Sequence, residues 1–143
     1  MKPLTYPARL TPDEDGRILV TFRDIPGATD GADQAEAMIE AVDFLESALA
    51  HFVHHGEEVP APSAPRRNEI LVGPSAVTAA QVALYLAMRQ EGVSPAVLAK
   101  RLGLPVREVR RLIDLANYPP LETIERALAA LGHRLTVALD AAE

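Results

Sequence analysis

"FRDIPGATDGADQAEAMIEAVDFLESAL", residues 22–49, contains the change of hydrophobic period on which the fold turns. It begins as the end of a strand, reverses at Pro26-Gly27, and becomes a run with apolar residues at three- and four-residue spacing. Proline presets φ at the first central position of a type II turn and glycine supplies the positive φ of the second, so the dipeptide reads as that turn. Asp33 stands where a helix N-cap would, with Glu36 three residues on. Met38, Val42, Leu45, Leu49 and Phe52 or Val53 then form one apolar stripe. Upstream, residues 4–10 and 17–22 read as two strands around the turn "TPDEDG", and a short third strand is expected near residues 28–30. The result is a β-β-β-α unit with its helix across one face of a small antiparallel sheet.

Downstream, "GEEVPAPSAPRRN", residues 56–68, is proline-rich and reads as an extended, semi-rigid spacer. It divides the chain into a first domain at 1–60, a linker at 61–74 with a short strand at 69–72, and a second domain at 75–143. In the second domain one helix starts near Thr78 and stops near Gly92. Ser94 caps a short helix with Pro95 in first position, and Gly103 fits a left-handed C-cap. A third helix is expected over residues 104–116, a fourth over 121–132, and a terminal strand over 134–139. The fold class is α+β.

Charge divides along the same line. The chain has a net charge of −6, but residues 1–60 carry twelve Asp/Glu against four Lys/Arg, a net −8, and residues 61–143 carry ten Lys/Arg against eight Asp/Glu, a net +2. An acidic half and a mildly basic half point to two partners of opposite charge, the first basic and the second DNA. The absence of cysteine excludes disulfides, a Cys-based zinc site and a catalytic thiol. No signal-like or uninterrupted membrane-length apolar run occurs, so the expected location is the cytoplasm, with no membrane partner.

"VSPAVLAKRLGLPVREVRRLI", residues 93–113, has the layout of a helix-turn-helix. Val97, Leu98, Leu102, Leu104, Val109, Leu112 and Ile113 are positioned to make its buried joint. The other face carries Lys100, Arg101, Arg107, Arg110 and Arg111, which suit phosphates or, through a bidentate guanidinium, guanine edges. Val106, Arg107 and Arg110 are expected to point into a major groove; Ser94 and Asn117 complete the candidate DNA-contacting set. The competing reading is a solvated basic face, neutralised by Glu91, Glu108 and Asp114. Pro105 stands where many such motifs have a hydroxyl cap, and it supplies neither a cap nor a phosphate contact.

Over residues 4–62, "YPARLTPDEDGRILVTFRDIPGATDGADQAEAMIEAVDFLESAL" and the proline-rich segment behind it resemble the HicB antitoxin family, and the second half is similar to that family's helix-turn-helix variant. The resemblance implies a first domain with a partial RNase H-like fold that covers a small basic mRNA-cleaving HicA toxin. It also implies a second domain that dimerises and represses the operon by binding operator DNA. The acidic residues Asp24, Asp30, Asp33, Glu36, Glu40, Asp43 and Glu46 become the candidate toxin-facing set. Leu135, Val137 and Leu139 alternate as the edge of a strand that could pair with its copy in a homodimer, with a tetramer left open. The alternative is a helix-turn-helix regulator whose first domain senses a small ligand or another protein.

Enzymatic readings are weaker. A metal-dependent nuclease needs carboxylates converging on Mg²⁺, but Asp33 and Glu36 are already explained by capping and Asp24 by a turn. His51 and His55 have metal-ligand spacing without a third ligand, and histidines near a helix C-terminus, His54 included, are favoured by its dipole. No catalytic residue, metal or cofactor is assigned.

Overall fold

The computed structural model describes residues 1–141, which divide into two compact units, Met1–Ala79 and the described residues from Ala80 onward. The first holds strands β1 (Tyr6–Pro12), β2 (Ile18–Phe22), β3 (Ala28–Gly31) and β4 (Ile70–Val72), with helix α1 (Gln34–His54). Helix α2 (Ala76–Glu91) contains the boundary, and α3 (Pro95–Leu102), α4 (Val106–Leu112) and α5 (Leu121–Ala130) follow.

The four strands form one antiparallel sheet in the order β3-β2-β1-β4. Hairpin β1–β2 pairs Ala8 with Phe22 and Pro12 with Ile18. Asp13 closes it: its Oδ1 accepts from the backbone N–H of Asp15 and of Arg17, each at 2.9 Å, while Gly16 takes φ +81°. Alternation places Tyr6, Ala8, Val20, Phe22 and Val72 on the face that α1 covers, and all five are buried. Gly27 has φ +108°, as the turn reading requires.

Helix α1 begins where expected, with Asp33 Oδ1 accepting from Glu36 N at 2.9 Å. Its seam is shifted from the predicted stripe. Ala37, Ala41, Leu45, Leu49 and Val53 are the buried residues, whereas Met38 and Val42 are half-buried flanks. The cause is a close approach: a Cβ on Gly31 would overlap the backbone N of Ala37 and lie 2.6 Å from its Cα. Only small residues fit where strand and helix backbones meet, so the alanines face inward.

The expected linker at 61–74 is a correction. Residues 59–72 form a strap and an edge strand of the first unit rather than a spacer between domains. Strand β4 pairs with β1, Tyr6 to Val72 and Ala8 to Ile70. Val59 is buried, Tyr6 Oη donates to Pro60 O at 2.8 Å, and Ser63 donates from N and Oγ to Asp24 at 2.7 and 2.6 Å. Arg23 donates to Glu69 and to Ala64 O. Proline removes donors but leaves carbonyls and intervening N–H groups to be used, so the segment is held by side chains of the sheet.

In the second unit α3 packs against α4 and α5 around buried Leu98, Ala99, Val109, Leu112, Ile124, Ala127 and Leu128. Ser94 caps α3, accepting from Val97 N, and Gly103 ends it at φ +67°. Two expectations fail here. Val97 is 45% exposed, because the inward stripe of α3 runs through Leu98 and Ala99. The helix expected over 104–116 stops at Leu112. Asp114 Oδ1 accepts from Ala116 N, and Gln81 Nε2 on α2 donates to the carbonyls of Leu112 and Asp114, so one local and two long-range side-chain bonds replace the next helical turn.

The terminal strand expected over 134–139 is also absent from the described residues. A strand is defined by a ladder, and no described residue pairs with this segment; Val137 and Leu139 stand 82% and 99% exposed. Among the described residues no helix is long and apolar enough to cross a membrane.

Candidate functional site

The acidic corner is sorted by its hydrogen bonds. Asp24 lies at the end of β2 and is spent on Ser63. Asp30, on β3, pairs with Arg17 at 2.9 Å, and that guanidinium holds its carboxyl below the usual range. Asp33 caps α1. Glu46, half-buried, accepts from Thr78 Oγ1 at 2.7 Å and Ser75 Oγ at 3.4 Å, tying α1 to the start of α2 inside the first unit. These four do not converge on a common point from which a metal could be held. Glu36, Glu40 and Asp43 remain, on one outward stripe of α1, with no side-chain hydrogen bond or ion pair among the described residues, although the charge of Glu36 is felt by Arg17.

An ion pair holds the strap to the sheet. Glu69 accepts from Arg23 Nε and Nη2 at 3.2 and 2.9 Å and from Arg66 N at 2.7 Å. The Arg23 hydrogen bonds, followed by that backbone N–H, hold the Glu69 carboxyl down at about 2. Burial, followed by the charge of Asp24, pushes the Tyr6 phenol up to about 12. The Glu69 shift follows from contacts that hold the strap to the sheet and the Tyr6 shift from burial and the charge of Asp24, so neither marks a catalytic group.

The cationic face lies on α3 and α4. Lys100, Arg101, Arg107 and Arg110 are exposed, and Val106 is half-buried at the start of α4. Arg111 is exposed, with only a 4.0 Å contact to Glu108. Pro105 precedes α4 with no side-chain cap. Two candidates have local duties: Ser94 caps α3, and Asn117 Nδ2 donates to Asp114 Oδ2 at 2.9 Å. Tyr118, in the following loop, is 73% exposed.

Gln81 was not a candidate, yet it fixes this face from behind. It is fully buried, and its amide N–H groups reach Leu112 O at 3.1 Å and Asp114 O at 3.0 Å, holding the end of α4. A lone amide in the apolar run "TAAQVALYLAM" was the available signal. Its Oε1 has no partner among the described atoms.

The histidines stack on one another. His51 and His55 rings lie 4.3 Å apart, and His55 Nδ1 is 2.9 Å from His51 O. Among the described residues no three His, Cys, Asp or Glu side chains are grouped to hold a metal ion. A shallow open depression of about 320 Å³ beside Met88, Val93, Pro95 and Ile113 has mainly apolar walls and no set of catalytic groups.

Residues 5–83 match the family described as HicB_like antitoxin of bacterial toxin-antitoxin system. The chain is 33% identical over 137 residues to Antitoxin HicB of Escherichia coli K12, covering 95% of this chain and 99% of that protein. It is 32% identical over 141 residues to Antitoxin HicB 1 of Photorhabdus laumondii, covering 98% and 90% respectively. With Antitoxin HicB 2 of the same organism the identity is 37% over 135 residues, 94% and 95% of the two chains. Each of these relatives is named as an antitoxin. With a helix-covered sheet stapled by its own C-terminal strap and nearly the full length shared with these relatives, the chain belongs to the HicB-like antitoxin family of bacterial toxin-antitoxin systems.

Proposed function

We propose that this antitoxin works in the cytoplasm on two partners: the first unit binds and neutralises a HicA-like mRNA-cleaving toxin, and the second binds operator DNA to repress the operon. The observation that carries the DNA half is the run of exposed, internally unneutralised cations Lys100, Arg101, Arg107 and Arg110 on α3 and α4. Four cations that pair with no carboxylate among the described residues, on adjoining helices, make an electrostatic footprint for phosphates. The reading treats α3, the Gly103 turn and α4 as a helix-turn-helix, with Arg107 and Arg110 reading bases and Lys100 and Arg101 on the backbone. Exposed Val137 and Leu139, with Leu135, support pairing of the terminal segment with its copy, where the missing ladder would form.

The test is a fluorescence-anisotropy titration of the full chain on DNA from upstream of its own reading frame and on a scrambled duplex, at several salt concentrations. Arg107→Ala should cost about 1–3 kcal/mol on the operator and little on the scrambled duplex. Lys100→Ala should weaken both equally and reduce the salt slope by about 1. Equal affinity of the wild type for the two duplexes would refute operator recognition. Co-expression with a HicA-like toxin tests the other half, since rescue of growth is required of an antitoxin.

A further inference from the structure

The acidic set that the sequence offers is larger than the surface that can face a partner. Asp24, Asp30, Asp33 and Glu46 already have hydrogen-bonding partners inside the first unit. Glu36, Glu40 and Asp43 have none, and they surround Ile39, whose side chain stands outward at 63% exposure on α1. At i, i+3 and i, i+4 spacing these residues share one helix face, so carboxylates of like charge, of which Glu36 is partly offset by Arg17, crowd around an isoleucine left in water. Each feature alone would be ordinary. Their coincidence on one face makes an apolar centre with an anionic rim, the layout of an interface anchor.

We infer that the outward face of α1, centred on Ile39 and rimmed by Glu36, Glu40 and Asp43, is the docking surface for the basic toxin, with Ile39 seated in an apolar recess rimmed by Lys or Arg. This rests on the antitoxin reading above and narrows it from seven carboxylates to three and one apolar anchor. Charge complementarity selects the occupant. Residues 1–79 carry thirteen Asp/Glu against six Lys/Arg, and α1 itself contains no Lys or Arg. The opposite, uncovered face of the sheet also exposes apolar residues, Leu19 and Leu71 at 39% and 44%. On that face Asp30, in register with Leu19, is taken up by Arg17, and Arg9, in register with Thr21, is left over, so a basic partner would meet a net positive charge there.

Calorimetric titration of the full chain with the purified cognate HicA toxin tests the surface. Ile39→Asp adds negative charge, so a purely electrostatic attraction would tolerate or strengthen it, whereas loss of an apolar anchor should weaken binding by about 30-fold or more. The triple variant Glu36→Gln, Glu40→Gln, Asp43→Asn should slow association and flatten its salt dependence while Ile39 stays in place. Leu71→Asp on the sheet face should bind within about 3-fold of wild type, the scatter expected away from the contact. Ile39 is exposed, so an unchanged circular dichroism spectrum and melting curve for Ile39→Asp will separate docking from folding. Wild-type affinity for Ile39→Asp, in a chain that still binds the toxin, overturns this surface and leaves the antitoxin reading intact. Failure of the wild type to bind the toxin overturns both.

Discussion

Replacing Gly31 by alanine should loosen the first unit without touching any charged or exposed group. A Cβ built there lies 2.6 Å from Ala37 Cα and 2.8 Å from the carbonyl carbon of Glu36, and it also overlaps Ala37 N. Ordinary contact for such atoms begins at 3.4 Å, so β3 and α1 must part by about 1 Å. Both sides are backbone, and no rotamer can absorb the overlap. A gap of that size forfeits roughly half of the dispersion energy along the facing seam, and overpacking costs about 1–3 kcal/mol where neighbours can adjust. The expected cost is about 3 kcal/mol, a large part of the roughly 4–12 kcal/mol available to a unit of this length. Peptide-resolved hydrogen exchange on the full chain is the assay, because it reads each unit separately. Amides of β2 and α1 should exchange about 150-fold faster in Gly31→Ala, while those of α5 are unchanged. Gly16→Ala is the control: Gly16 has φ +81° but nothing within 4 Å of a Cβ, so only left-handed strain of about 1–2 kcal/mol applies. An acceleration below about 5-fold for Gly31→Ala, or one no larger than for Gly16→Ala, would refute the close-approach argument.

The remaining predictions concern the strap and the back of the cationic face. Glu69 has a folded pKa of about 2 against an ordinary 4.5, so its contribution to stability is fully present above pH 4.5 and lost as pH falls towards 2. Glu69→Gln should therefore be less stable than wild type at pH 7, with the difference in urea midpoint shrinking between pH 4.5 and 2; a constant difference would count against the Arg23 and Arg66 contacts as its source. Gln81→Met takes a donor from the buried Leu112 carbonyl, while Asp114 O keeps the Asn117 N–H, and it also removes the unpartnered Oε1, for a net loss of about 1 kcal/mol. Gln81→Glu turns a carboxylate towards the same carbonyls and should cost more, about 3 kcal/mol or above, in the exchange protection of α4. Equal stability of the two variants would contradict the amide orientation.

Local chemistry was legible where it is written in neighbouring residues. Asp33 with Glu36, Ser94 with Pro95, and Gly103 each satisfy a helix end through contacts within a few positions, so those helix boundaries followed from the chain. The strands were displaced by one or two residues, because a ladder's end depends on the partner strand. The apolar stripe of α1 was misplaced for a related reason. Met38 and Val42 are larger than Ala37 and Ala41, and burial usually follows size, but the proximity of Gly31 reverses the order. The proline-rich segment was read from its inability to form a helix, yet what it does form depends on Asp24, Arg23 and Tyr6, 39 to 54 residues away for the bonds to Ser63, Ala64 and Pro60.

For the candidate site, the sequence supplied the inventory of charge and the tertiary structure selected from it. Composition fixed an acidic first half, a basic run beside Gly103 and the absence of thiol chemistry, since these require only counting. Which carboxylates are free required knowing their partners: Ser63, Arg17 and Thr78 lie 39, 13 and 32 residues from the acids they engage. Ile39 gave no signal as a functional residue, since an isoleucine in a helical run is ordinarily core. Its outward position follows only once Gly31 has set the rotation of α1. Periodicity can say that a helix has an apolar side, but steric contact between backbones decides which residues that side contains.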